Sequence, residues 1–400
     1  LKEGIMKTNR IPGEITWMKK YIWLLFIFIF SCKNGGDKNA KEYPTDLPLI
    51  NLRGLILDEK KDAIPLFSSG DSIEYVQLET FPTDLRFQDV LVTDQHIYVI
   101  LSMYQGIMMY DRQGKFIKHI EDTEAAHAFE LLYNEYEDQV YALGRGNVWI
   151  LNERDGEILG DVQTLYNIPA NTRIYPFSAD RFLALYGRND HYSTKTSAAI
   201  CNKQGELLID SVYIGKGDKE LAACWWSWST FVMPYENDDY LFFTLFRGAP
   251  YQTIFRTKGE KIEPAYYMDI EAETDIRYAW LFKDYLCFVY EALHGGYILT
   301  DTNVTLAVYN LKTGELKSQR LLDKMQLRSN RYFGVKNTID GGVPILFSNH
   351  SSARRQVADL LLGTDVKNYL LKNKISDDAP DFLREMDEES LPVVTIVHYR

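Results

Sequence analysis

Six short polar connections carry the side chains of this sequence best suited to binding chemistry. They read "LSMYQG", "GRGN", "GRNDHYS", "FRGAP", "EALHGGY" and "SNHSS", and they hold Tyr104, Arg145, Arg188, Arg247, His294 and His350. A guanidinium is always charged and offers a planar fork of donors, so arginines gathered round one opening suit a carboxylate or sulfate group. The stretch "CWWSWS" adds Trp225, Trp226 and Trp228, whose rings could stack on a saccharide face. The bland alternative is that the Arg and His side chains are solvated turn residues and the tryptophans pack between structural units. Signatures of reaction chemistry are missing: there is no HExxH, no GxSxG, no Walker glycine loop and no GxGxxG opening a helix. Asp238 with Asp239 and Asp377 with Asp378 lie in polar turns, where solvation is the default. The seven histidines form no metal-ligand spacing, so neither a metal nor a cofactor is expected.

Composition narrows the class. With 46% apolar and 14% aromatic residues in 400, the chain can build a large core. A net charge of -12 with no block of Lys and Arg argues against a nucleic-acid partner, which needs clustered cations at phosphates. Cys201, Cys224 and Cys287 form no CxxC pair, and Cys201 and Cys287 sit in apolar runs that favour buried, inert thiols.

The N-terminal region reads as an address. Lys19 and Lys20 precede an apolar run from Tyr21 to Phe30, and ten residues fall short of the roughly 20 a membrane-crossing helix needs. The run ends in "IFSC", which resembles the lipobox of bacterial lipoproteins, in which the cysteine is acylated; that resemblance implies lipidation at Cys32. Residues 1–17 read as an upstream extension and 18–31 as a lipoprotein signal peptide. Residues 32–50 read as a flexible tether, being polar with Gly and Pro. Residues 51–400 are then the folded part.

That part repeats. "YDRQGKFI", "LNERDGEIL", "CNKQGELLI", "FRTKGEKI" and "YNLKTGELK" each give a strand, a polar turn with a glycine and a second strand. The glycines Gly114, Gly156, Gly205, Gly259 and Gly314 recur at about the length of a four-stranded propeller blade, roughly 40–50 residues. "DVLVT", "HIYVIL", "GIMMYD" and "KFIKHI" make one whole blade, and stacked blades must close into a ring. A sixth blade takes "GGVPILFSN" as its inner part, "PVVTIVHYR" from the C-terminus and "DSIEYVQLET", Asp71 to Thr80, as its outer strand. Between the first two, Val357, Leu360, Leu361, Tyr369 and Leu370 recur at helical spacing, which predicts a helical insertion over about 353–390. The fold class is therefore all-β: a six-bladed β-propeller of four-stranded antiparallel blades with a small helical insertion.

The order "SIEYVQLET", "DVLVTDQHIYVI", "MMYDRQGKFIKHI", then a C-terminal "LPVVTIVHYR", with the lipobox, resembles the six-bladed β-propeller lipoproteins of Bacteroidetes, a group similar to NHL and TolB-type propellers. Where that group carries a "GQGPGE"-like turn, this chain reads "IEDTEAAHAFE", so no role of that turn transfers. The resemblance implies a protein of the cell envelope, attached to a membrane through Cys32. Two functions fit. One is a binding module that offers one rim of the ring to an anionic glycan or a partner protein. The other is a propeller-type glycoside hydrolase or polysaccharide lyase with acid and base drawn from different blades. The absence of any catalytic signature favours binding.

Overall fold

The computed structural model describes residues 46–53, 64, 66–68, 70–81, 87–102, 105–121, 124–144, 147–168, 172–176, 178–187, 195–216, 228–235, 239–246, 251–270, 274–292, 305–320, 335–345, 356–371 and 373–399. All of the described strands belong to the unit that starts at Leu47.

Strand β1 (Leu49–Asn51) and β2 (Ser72–Gln77) precede the repeats. Blade one is β3 (Phe87–Val92), β4 (His96–Leu101), β5 (Ile107–Asp111) and β6 (Phe116–Ile120). Blade two is β7 (Glu130–Asn134), β8 (Gln139–Leu143), β9 (Val148–Asn152) and β10 (Ile158–Asp161). Blade three is β11 (Thr172–Pro176), β12 (Arg181–Gly187), β13 (Lys195–Asn202) and β14 (Leu207–Lys216). Blade four is β15 (Trp228–Pro234), β16 (Tyr240–Phe246), β17 (Tyr251–Lys258) and β18 (Lys261–Asp269). Blade five is β19 (Thr274–Phe282), β20 (Tyr285–Ala292), β21 (Thr305–Asn310) and β22 (Leu316–Arg320). Blade six joins β23 (Gln356–Leu361) and β24 (Val393–His398) to β2 in the order β2-β24-β23. Blades one to five each run first to fourth strand in sequence order, all antiparallel.

The five repeat glycines lie between the third and fourth strands with φ from +57° to +84°. Gly114 shows why no other residue fits: besides its φ of +84°, a Cβ there would stand 2.1 Å from the carbonyl oxygen of Gln77 on the preceding blade.

Apolar layers between successive sheets close the ring. One joins blades one and two through Leu91, Tyr98, Leu131 and Val140. A second runs from blade two through three to Phe242 and Phe255 of four, a third unites four and five, and a fourth unites five and six. The last sets Ala358, Leu360, Val394 and Ile396 of blade six against Val90, Val92 and Ile97 of blade one. Ring closure is as expected from the sequence: Ile73 pairs with Val397, Tyr75 with Thr395 and Gln77 with Val393.

The insertion is shorter than the spacing predicted. Tyr369 and Leu370 belong to a helix, but Val357, Leu360 and Leu361 form β23 and not a helix. Sandwiched between blades five and one, that strand is buried on both faces, which erases the alternation that marks a strand and leaves an apolar run readable either way. Besides helix α1 (Val162–Tyr166), capped by Asp161, the helices are α2 (Gly363–Leu370) and α3 (Asp381–Glu385), both between β23 and β24. They pack on Tyr75 and Val393 through Val366 and Leu383, joined by Met386 just after α3. β1, at the end of the expected tether, adds to blade four as a fifth strand.

Candidate functional site at the mouth of the ring

Antiparallel strands divide the ring's connections between two rims. First-to-second and third-to-fourth turns lie on one, the turn rim; second-to-third connections and the links between blades lie on the other, the link rim.

The turn rim is stitched from blade to blade. Thr93 Oγ1 and His96 Nδ1, at the β3–β4 turn, meet Glu153 Oε1 at the β9–β10 turn of the next blade, at 2.5 and 3.0 Å. Glu137 at the β7–β8 turn bonds Lys203 of the β13–β14 turn, whose ammonium also lies over the Tyr166 ring. Arg112 of the β5–β6 turn reaches Glu74 of β2 at 2.9 Å, and His398 shares that carboxylate at 3.2 Å. Lys283 at the β19–β20 turn reaches Asp71, just before β2, at 2.7 Å. These contacts place β2 as the fourth strand of blade six, and so β24 and β23 as third and second.

The Asp71 side chain is fully buried. Burial alone would raise its pKa, but the hydrogen bonds from Lys283 and Ser68 outweigh that and hold it below the ordinary value. A depressed carboxylate contributes stability above its unfolded pKa of about 3.9 and loses it as pH falls through the lower folded value. Lys283→Met, which strands the buried charge, is expected to cost about 3 kcal/mol in urea unfolding near pH 7. The gap from the parent chain should shrink below about pH 4; a gap unchanged down to pH 2 would contradict the pairing.

On the link rim the first strands of blades one to three open with polar residues. Gln88 and Asp89 clasp the edge of β7: Gln88 Nε2 donates to the Phe129 carbonyl at 3.3 Å, and Asp89 Oδ2 accepts from the Leu131 amide at 3.0 Å. Those side chains supply what a neighbouring strand would. Glu130 at the start of β7 accepts from the Tyr175 hydroxyl of β11 at 3.3 Å. The half-buried Arg173 guanidinium lies over the Phe129 ring, 5.1 Å from its centre. Burial opposes its charge, but Tyr175 and Glu130 outweigh it and raise its pKa further, so Arg173 is a fixed cation. Burial, then the Glu130 charge, push the Tyr175 phenol well up, so it stays protonated and donates. This Arg, Glu and Tyr cluster escapes a sequence reading because each member looks like an ordinary strand residue. The one available signal is that Asp89, Glu130 and Arg173 all sit near the entry of a first strand in successive blades.

Chain order puts Tyr104 between β4 and β5, Arg145 between β8 and β9, Arg188 between β12 and β13, Arg247 between β16 and β17, and His294 between β20 and β21. All five lie outside the described residues, as do His350, Trp225, Trp226 and Cys32; Trp228 opens β15, with its side chain outside the description. His350 does not share the others' position. It precedes β23, and the corresponding connection of blade six is Leu362–Pro392, which carries α2 and α3. Cys201 and Cys287 are buried free thiols, and burial pushes the Cys201 thiol up to about 11. Among the described residues no group of three or more His, Cys, Asp or Glu could hold a metal ion.

Solved structures similar to this chain include virginiamycin B lyase from Staphylococcus aureus, at 12% identity and a TM-score of 0.39 over 63% of this chain and 75% of that one. Kluyveromyces lactis Hsv2 matches at 10% and 0.36, over 59% and 64%. The WD40 domain of Neurospora crassa Pan2 matches at 13% and 0.36, over 64% and 73%. With scores this low, none bears on what this chain does. No curated protein matches it. A family model does, across residues 49–398 and so across all six blades: the chain belongs to the family described as Domain of unknown function (DUF4934).

Proposed function

We propose that this propeller is an exported, lipid-anchored protein of the cell envelope whose link rim binds an anionic glycan. The observation that supports this reading most is a cation set beside an aromatic ring on the link rim. The link rim has at its mouth a fixed cation, Arg173, lying on an aromatic face. Arg145, Arg188 and Arg247 fall in connections that leave from that same rim. Propellers commonly serve as binding scaffolds, and function rests in the loops at one rim.

The enzyme alternative needs an acid and a base free to reach a substrate. Asp89 and Glu130 are buried and bonded to the neighbouring first strand, and Tyr175 is held in its neutral form, the opposite of a phenol poised as a base. These features favour binding.

The test is a panel of acidic and neutral glycans against the purified propeller at two ionic strengths. Binding confined to acidic members and weakened by salt is the expected result; cleavage of any member would establish the enzyme instead. Anchoring is tested separately. A fatty-acid probe in a bacterial host should label the parent chain and fail to label Cys32→Ala; label that persists in the variant removes the anchor from the proposal.

A further inference from the structure

Blade four is complete with four strands, yet β1 adds a fifth, the one parallel pairing among the described strands. It pairs over three residues: Leu49 with Tyr267, Ile50 with Met268 and Asn51 with Asp269. The Tyr267 amide donates to the Pro48 carbonyl at 3.0 Å, and the Leu52 and Arg53 amides donate to the Asp269 carbonyl at 2.9 and 3.1 Å. Ile50 and Leu52 are buried in the layer between blades four and five, while Leu49 is exposed. Arg53 closes the contact: its Nε stands 3.1 Å from Asp269 Oδ1 and its Nη2 donates to the Ile270 carbonyl at 3.0 Å.

The edge that receives β1 differs along its length. The first half of β18 carries Lys261, Glu263 and Pro264, and the register shifts opposite Pro264, features that blunt an edge against pairing. The second half, Tyr267 to Asp269, lacks such protection, and β1 sits there. Alternate apolar residues on an added strand, with main-chain bonds and a terminal charge contact, are the elements of peptide recognition by strand addition.

We propose that the outer edge of blade four, from Tyr267 to Ile270, is a peptide site for an extended segment of the pattern apolar, any residue, apolar, Arg, and that β1 is its resident and releasable occupant. The blade's own ladder does not depend on β1, since β18 is already paired with β17 along its length. Opening of so short an added strand is therefore a local event, distinct from unfolding of the ring.

Two measurements on the full chain decide it. In native-state hydrogen exchange, the Leu52, Arg53 and Tyr267 amides should exchange at least about ten-fold faster than amides bonded between β17 and β18, the behaviour of a local opening. Equal protection makes β1 a fixed strand and overturns the proposal. In the second, Ile50→Asp with Leu52→Asp releases β1, and a fluorescent peptide of the sequence Pro48 to Arg53 is added. The double variant should bind it at least about ten-fold more tightly than the parent chain, whose edge is occupied, and a peptide with Ala in place of its Arg should lose that gain. A double variant that unfolds cooperatively but binds no peptide overturns the site. A double variant that no longer unfolds cooperatively shows β1 to be part of the ring's core, which also overturns it.

Discussion

Removing Val393–Arg400 is expected to abolish cooperative unfolding of the whole ring. β24 is the third strand of blade six, paired with β2 on one side and β23 on the other, so its loss unpairs both. Val393, Val394, Ile396 and Val397 are fully buried and reach three apolar layers, against blade one, against blade five and under the helical insertion. One truncation among them, Ile396→Ala, should cost about 2–5 kcal/mol, while Ile396→Val should cost only about 0.5–1.5 kcal/mol. Set against a total stability of roughly 5–15 kcal/mol, loss of the whole strand leaves no stable ring. Urea unfolding followed by tryptophan fluorescence and by circular dichroism is the measurement. If the truncated chain unfolds in one transition at the parent midpoint, the closure through β2 and β24 does not hold the fold together.

The features legible in the sequence are those with local signals. A turn that needs positive φ writes a glycine into the sequence, so Gly114, Gly156, Gly205, Gly259 and Gly314 reveal the blades and their order. Closure is legible because "SIEYVQ" and "VVTIVH" remain as strands without partners, and the ring offers one place for both. β23 misleads because burial on two faces removes the period that identifies a strand. β1 leaves no trace: three residues at the end of a polar stretch have no period, and their strand character comes from the β18 edge they meet. The mouth cluster is hidden for another reason. Glu130 and Tyr175 become partners only when the ring sets β7 beside β11, and a single charge in a strand looks solvated until its neighbour is known. In chain order Tyr104, Arg145, Arg188, Arg247 and His294 fall between second and third strands, whereas His350 precedes β23, in the blade whose strands the chain supplies from both ends.

The rim itself supplies the other large effect. In chain order Arg145, Arg188 and Arg247 fall between the second and third strands of three consecutive blades, in connections that start and end on the link rim. If the anionic-glycan proposal holds, Arg188→Ala and Arg247→Ala should each weaken binding by about 1.5–3 kcal/mol, the range for hydrogen bonds to charged groups. The two together should approach the sum only if they contact separate acidic groups, since residues sharing one partner do not add. Lys at either position should restore part of the loss, because it returns the charge without the planar fork. The salt dependence carries the electrostatic claim: each lost arginine should flatten the fall of affinity between low and physiological ionic strength, where the Debye length is about 8 Å. Isothermal titration with one acidic oligosaccharide across four salt concentrations measures both quantities. Affinity that ignores both substitutions and ionic strength would place the ligand, if there is one, elsewhere than at these connections.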